Sequence, residues 1–122
     1  MSTQEVTLEQ IDEMKANCKR AIDVANALDR LHKNTDFKTV FLDNYMRDDV
    51  VRLVGLLGEQ TINLGGKKYE HREEIQERLI GVARFQEYMR NVFRLADQAE
   101  NDLIAAEEAE TEFHKTYDVT EQ

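Results

Sequence analysis

The sequence predicts an all-α fold: an elongated antiparallel helical bundle with a long first helix, a broken middle helix pair and a very long C-terminal helix that overhangs its neighbours. Three observations predict it. The 122 residues contain no proline, where ordinary usage of about 5% would give roughly six. Nothing therefore forbids long uninterrupted helices. Apolar residues recur at three- and four-residue steps over most of the chain, the period of a helix face. The composition is 34% charged and 41% hydrophobic with only 7% aromatic, which suits elongated helices that expose much surface per residue. The length implies one domain, organised as a flexible N-terminal tail (1–6), a helical bundle (7–106) and an acidic C-terminal extension (107–122).

Met1–Val6 reads as a loose tail. Thr7-Leu8-Glu9-Gln10 has the Ser/Thr-x-x-Glu/Gln form of a capping box, in which Thr7 accepts from the Gln10 amide and Gln10 reaches back to Thr7. The first helix should start there. Its apolar positions include Ile11, Met14, Cys18, Ala21, Ala25 and Leu28, and both Ile11/Cys18/Ala25 and Met14/Ala21/Leu28 repeat every seven residues. That is a coiled-coil-like stripe, with small residues at its middle where a partner helix can approach closely. The helix should end near His32 and Lys33, with Asn34 as a left-handed stop, after about 39 Å at about 1.5 Å per residue.

Thr35 or Asp36 is expected to cap the next helix. This is the most aromatic stretch, with Phe37, Phe41 and Tyr45 beside Val40, Leu42 and Met46. Arg47-Asp48-Asp49 interrupts the apolar run and reads as a break, with Asp48 capping a further helix from Val50 to Leu57. A continuous helix through Arg47 is the rival. Thr61-Ile62-Asn63-Leu64-Gly65-Gly66 is the clearest loop, because paired glycines adopt positive φ without strain. From about Lys68 to Tyr117 nothing stops a helix. Gly81 is tolerated inside it, and Glu74 and Arg78 form an i,i+4 pair on its polar face. Such a helix would span about 70 Å. Its antiparallel match to the first helix is expected at roughly Ile75–Leu103. Beyond Ala106 it should project without a neighbour, as a helical spike or a frayed tail.

Charge is concentrated at that end. From Asp97 to Gln122 there are nine acids and one base, Lys115, giving −8 of the total −9. The rest of the chain is almost neutral. Glu107, Glu108, Glu110 and Glu112 surround Phe113 and Tyr117, two aromatics at i and i+4 on the extension. They read as apolar points of a docking or self-association site among carboxylates, or else as rings that are exposed or covered by a fold-back. Phe37, Phe41 and Tyr45 read as core or as a second interface.

Chemistry of other kinds finds little support. His32, His71 and His114 lie in different elements, and none has a Ser or Cys partner at a motif spacing. Glu107, Glu110 and His114 could share a helix face, but no Glu-x-x-His occurs to complete a di-metal bundle. A solvated acidic face is the plainer reading, and no catalytic residue, cofactor or metal is expected. Cys18 excludes an intramolecular disulfide and reads as a small buried thiol. Leu64-Gly65-Gly66-Lys67-Lys68 lacks the spacing of a phosphate loop. Arg72, Arg78, Arg84, Arg90 and Arg94 are interleaved with acids, which argues against direct nucleic-acid binding. No apolar run is long enough to span a membrane, and the polar N-terminus does not resemble a signal peptide.

One pattern has a wider likeness. Ala27-Leu28-Asp29-Arg30-Leu31, Asn34-Thr35-Asp36-Phe37-Lys38 and Tyr45-Met46-Arg47-Asp48-Asp49-Val50-Val51-Arg52-Leu53 resemble a family of short helical proteins of tailed bacteriophages. The commoner form there is Ala-Leu-x-Arg-Leu, Asn-Pro-Asp-Phe-Lys and Tyr-(Phe/Leu)-Lys-(Glu/Asp)-Glu-Ala-x-Arg-Leu. Tyr88-Met89-Arg90 and the Ala- and Glu-rich Ala99–Glu112 stretch are also similar. The likeness covers most of Leu8–Glu112 and consists of caps and core positions, with no chemical signature. The chain departs from it at Thr35, where proline is common, and in the Thr61–Lys68 loop. The resemblance implies a non-enzymatic virion or head-assembly protein. Its partners would be phage head, portal or connector proteins, and it would act in many copies or as a homo-oligomer. Its location would be the virion, and the host cytoplasm during assembly. An acidic decoy of a host nucleic-acid-binding protein and a scaffold or assembly chaperone that leaves before maturation are the alternatives.

Overall fold

The computed structural model describes residues 7–62 and 70–121, with side chains described over 7–59 and 72–116. The described chain is all-α. Its elements are α1 (Leu8–His32), a single α turn α2 (Thr35–Phe37), a π-helical segment (Lys38–Asp48), α3 (Asp49–Ile62) and the long α4 (Glu70–Glu121).

The capping box starts α1 as expected. The Gln10 amide donates to Thr7 Oγ1 at 3.1 Å, and the Thr7 amide donates to Gln10 Oε1 at 2.9 Å. Two amides at the exposed helix start are thereby satisfied by side chains. At its other end the last turn tightens through i→i−3 bonds from Lys33 to the Arg30 carbonyl and from Asn34 to the Leu31 carbonyl. His32 Nδ1 lies 2.8 Å from the Leu28 carbonyl oxygen.

The connection to the middle helix corrects two expectations. Asn34 is not a left-handed stop: its φ of −73° and ψ of 126° are extended. Nor do Thr35 or Asp36 cap the next helix, because Asn34 Oδ1 accepts from the Phe37 amide at 3.0 Å. An asparagine with extended backbone is well suited to that role, since its short side chain reaches an amide of the first turn. The expected break at Arg47–Asp49 is also absent as a break. Phe37 and Asp49, at the two ends of the π segment, both have right-handed helical dihedrals, and the Asp49 amide bonds the Asn44 carbonyl five residues back. What changes at Asp49 is helical pitch, from π to α, so Asp48 caps nothing and the rival continuous helix is correct. Arg47 lies 3.1 Å from Asp48 and 3.8 Å from Asp43, and Arg52 lies 2.7 Å from Asp49, so these charges tie down the transition from outside.

The helix α3 runs through Thr61 and Ile62, which were expected in the loop. The Met1–Val6 tail, the Gly65-Gly66 turn and the His71 side chain lie outside the described residues. In α4 the Arg78 guanidinium donates to Glu74 Oε1 at 3.0 Å, the expected i,i+4 pair.

The chain divides into two compact units, one of Met1–Ala27 with Asn91–Gln122 and one of Leu28–Arg90. In the first, α1 packs antiparallel on α4 over Ile11, Cys18, Ala25, Val92, Ala96, Ala99 and Ala106, all buried. Most of these are small, so the two backbones can approach closely, towards the short end of the usual 8–10 Å separation. In the second unit Leu53, Ile75, Val82 and Met89 are buried. Beside them Phe41 stacks on Phe85 at 6.1 Å between ring centroids, and Tyr45 meets Phe85 edge-on at 6.3 Å.

This division corrects the expected register. The N-terminal residues of α1 pair with α4 from Asn91 onward rather than with Ile75–Leu103. The reason is that the Phe41/Tyr45 contacts on Phe85 and the buried positions around Val82 occupy the earlier part of α4.

Candidate docking site on the C-terminal helix

Packing sets the base of the site. Cys18 and Ala99 line one shallow groove of about 320 Å³, together with Met14 and Ala21 of α1 and Leu95 and Asp102 of α4. One heptad further along, Ile11 and Ala106 come level, and each is 1% exposed. The buried stripe of α4 therefore continues past Leu103 at the same spacing, and the next position on the Met89/Ala96/Leu103 row is Glu110.

A carboxylate on an otherwise apolar row needs a partner. Lys15 supplies it: its Nζ donates to Glu110 Oε2 at 2.7 Å, with both side chains about three-quarters covered. The Glu110 carboxyl is held below its ordinary range, first by the hydrogen bond from Lys15 and then by the charge of the same ammonium. The Lys15 ammonium is correspondingly raised, chiefly by its hydrogen bond to Glu110, and burial opposes this only in part. His114 Nε2 lies 3.9 Å from the other Glu110 oxygen. The expectation that α4 has no neighbour beyond Ala106 is thus wrong at Glu110, because α1 starts early enough to cover one more turn.

Around this pair the remaining predicted site residues separate into two kinds. Glu107, Glu108 and Glu112 are exposed. Lys115 approaches Glu112 only at 4.0 Å, with both side chains well in solvent. Phe113 is half-buried, not free-standing, and meets the His114 ring edge-on with centroids 6.1 Å apart. The Tyr117 side chain lies outside the described residues, although its backbone is helical. Thr111 and Thr116 hydroxyls donate to the Glu107 and Glu112 carbonyls at 3.0 and 2.9 Å, which ties their side chains back onto the helix. The product is a ridge of three exposed carboxylates beside a fourth that is neutralised, with one partly covered ring.

The aromatic group is separate from this ridge. Phe37 stacks on Phe41 at 5.1 Å, Phe41 meets Tyr45 edge-on at 6.3 Å, and His32 meets Phe37 edge-on at 5.7 Å. Phe37 and Tyr45 are half-buried and Phe41 is exposed at 40%. These rings are engaged with each other and with Phe85, so they form the wall of the second unit and leave the Phe41 edge outward.

Cys18 is buried and free, as its place on the stripe implies. Among the described residues no group of three or more His, Cys, Asp or Glu side chains is placed to hold a metal ion. Among the same residues no helix is long and apolar enough to cross a membrane.

Sequence reasoning missed Lys15 and Phe85. The signal for the first was present, since an acid on a heptad row of apolar residues requires a base opposite. Phe85 had no local signal beyond its apolar spacing. No family model, curated protein or solved structure matches this chain.

Proposed function

We propose that this chain is a non-enzymatic structural or assembly protein of a tailed bacteriophage. It acts in many copies, docking on head, portal or connector proteins through helix faces and the acidic end of α4. The observation that carries the reading is the ridge itself. Glu107, Glu108 and Glu112 stand exposed on a helix that the Lys15–Glu110 pair fixes against α1. A rigid, anionic, partly apolar ridge suits docking on a basic surface: charge steers the encounter and sets its salt dependence, and the apolar contact slows release. The resemblance of Ala27–Leu53 to short phage helical proteins supports the class of partner.

The test has two arms. Mass spectrometry of purified virions and of immature particles should find the protein in the virion at a fixed ratio to the head proteins. Presence in immature particles alone would assign it to a departing scaffold, and absence from both would refute the reading in favour of a decoy. In the second arm, Glu107→Lys with Glu108→Lys should weaken binding to isolated head or portal protein about tenfold or more at low salt, with a smaller effect at high salt. Unchanged binding would remove the ridge from the interface. Circular dichroism of the same double variant is the fold control and should stay nearly unchanged, because both residues are exposed.

A further inference from the structure

The helix α3 is apolar on both sides. Leu53 is 1% exposed and faces the interior of its unit. On the opposite side Val51 is 69% and Val54 is 53% exposed, and Gly55 and Gly58 share that surface. From Val50 to Gly58 the only charged residue is Arg52. A helix apolar all round is ordinarily covered all round, yet this one is open. The glycines make the point stronger. Among the described residues an added Cβ would meet nothing within 4 Å at either position, so neither glycine is needed for packing against them. Both weaken the helix relative to alanine. Glycine on a helix face is useful where another backbone comes close.

We infer that the Val51/Val54/Gly55/Gly58 face of α3 packs antiparallel against the same face of a second copy of this chain across a two-fold axis. Charge complementarity selects that occupant. Arg52 and Glu59 lie seven residues apart, hence on one rim of the face, and are equidistant from the midpoint between Gly55 and Leu56. In an antiparallel helix pair the same rims meet. Each Arg52 then falls beside the partner's Glu59, twice by symmetry, over an axis at the glycine turn. A parallel pair would leave the two groups two turns apart. Arg52 is also prepared for this role. Its Nε and Nη2 donate to Asp49 Oδ1 at 3.0 and 2.7 Å, which holds the guanidinium while Nη1 remains outside that contact. Glu59 is exposed at the other end of the rim. This surface lies on a different element from the acidic ridge and does not depend on it.

The test is the mass of the full chain in solution, by sedimentation equilibrium or light scattering over a wide concentration range. The wild type should be dimeric. Gly55→Leu and Gly58→Leu each improve helix propensity, so helical circular dichroism should hold or rise while the mass falls to that of a monomer. Arg52→Glu and Glu59→Arg should each raise the dimer dissociation constant about tenfold or more, and the double reversal should restore it. A wild type that stays monomeric at all concentrations would overturn the inference. So would a dimer that survives Gly55→Leu, or a double reversal no tighter than the single ones.

Discussion

The seam between α1 and α4 rests on side-chain size, and a size exchange tests it. Ala106 and Ile11 are each 1% exposed, and one heptad on from the shared Cys18/Ala99 groove the antiparallel register sets them opposite each other. Ala106→Leu places three more carbon atoms where no room exists. Overpacking of this kind costs about 1–3 kcal/mol. For 122 residues, an unfolding entropy of about 2.1 cal/mol/K per residue gives about 0.26 kcal/mol/K. The melting temperature should therefore fall by about 4–12 °C. Ala105→Leu, one residue away on an exposed position, is the control and should move stability by less than about 0.5 kcal/mol. Ile11→Ala should be destabilising by about 2–4 kcal/mol, because it leaves a cavity at a sealed position. The double variant Ile11→Ala/Ala106→Leu restores total volume, so its loss should be smaller than the sum of the single losses by about 1 kcal/mol or more. The assay is thermal and urea unfolding followed by circular dichroism at dilute protein. Strict additivity, or an Ala106→Leu variant as stable as the Ala105→Leu control, would refute the level packing of these two residues.

Other outcomes follow from single features. Gly81 is exposed in the interior of α4 and, among the described residues, nothing lies within 4 Å of an added Cβ, so Gly81→Ala should be stabilising by about 1 kcal/mol, seen as a rise in melting temperature. Asn34→Ala removes the cap on the Phe37 amide and should cost about 1 kcal/mol by the same assay. The Lys15–Glu110 pair makes stability depend on pH. Glu110 is held low in the folded chain, so its contribution is full above the ordinary glutamate value of about 4.3 and is lost as pH falls through the lower folded value. Lys15 is held high, so its contribution is full below about 10.4 and is lost as pH rises through the raised folded value. The stability gap between wild type and Glu110→Gln should therefore be widest between about pH 5 and 10 and close at both extremes. A gap that stays constant across pH would show that the pair contributes nothing through its charge.

What the sequence made legible was local. The capping box at Thr7–Gln10 is written in four consecutive residues, and the row Ile11/Cys18/Ala25, buried in the structure, is a heptad visible in the sequence. The stretch of α4 that pairs with that row was not legible. Matching helices by length set α1 against the front of α4, whereas the middle helix occupies that stretch through Phe41, Tyr45 and Phe85. The same error made the acidic end look unsupported, because Glu110 had no visible partner until Lys15, 95 residues away in the chain, was brought beside it. The π segment left no compositional mark. The Arg47-Asp48-Asp49 cluster was visible as an interruption, but polarity alone cannot distinguish a cap from a change of pitch. The open face of α3 was hidden for the opposite reason, since apolar residues on all sides of a helix look like core.

The eleven-residue π segment has a consequence for how this chain can vary in length. Each i→i+5 turn holds one residue more than an i→i+4 turn. Loss of a single residue between Lys38 and Asp48 can be absorbed by closing one wide turn into an ordinary one, with no break in the helix. The closed turn still completes one revolution, so everything after the deletion keeps its angular phase and only shifts along the axis, by about 1.5 Å or less. Leu53 would keep its buried position, and Val51, Gly55 and Gly58 their outward one. The segment therefore works as a length buffer: it lets the chain lose a residue while the direction in which α3 presents its faces is kept.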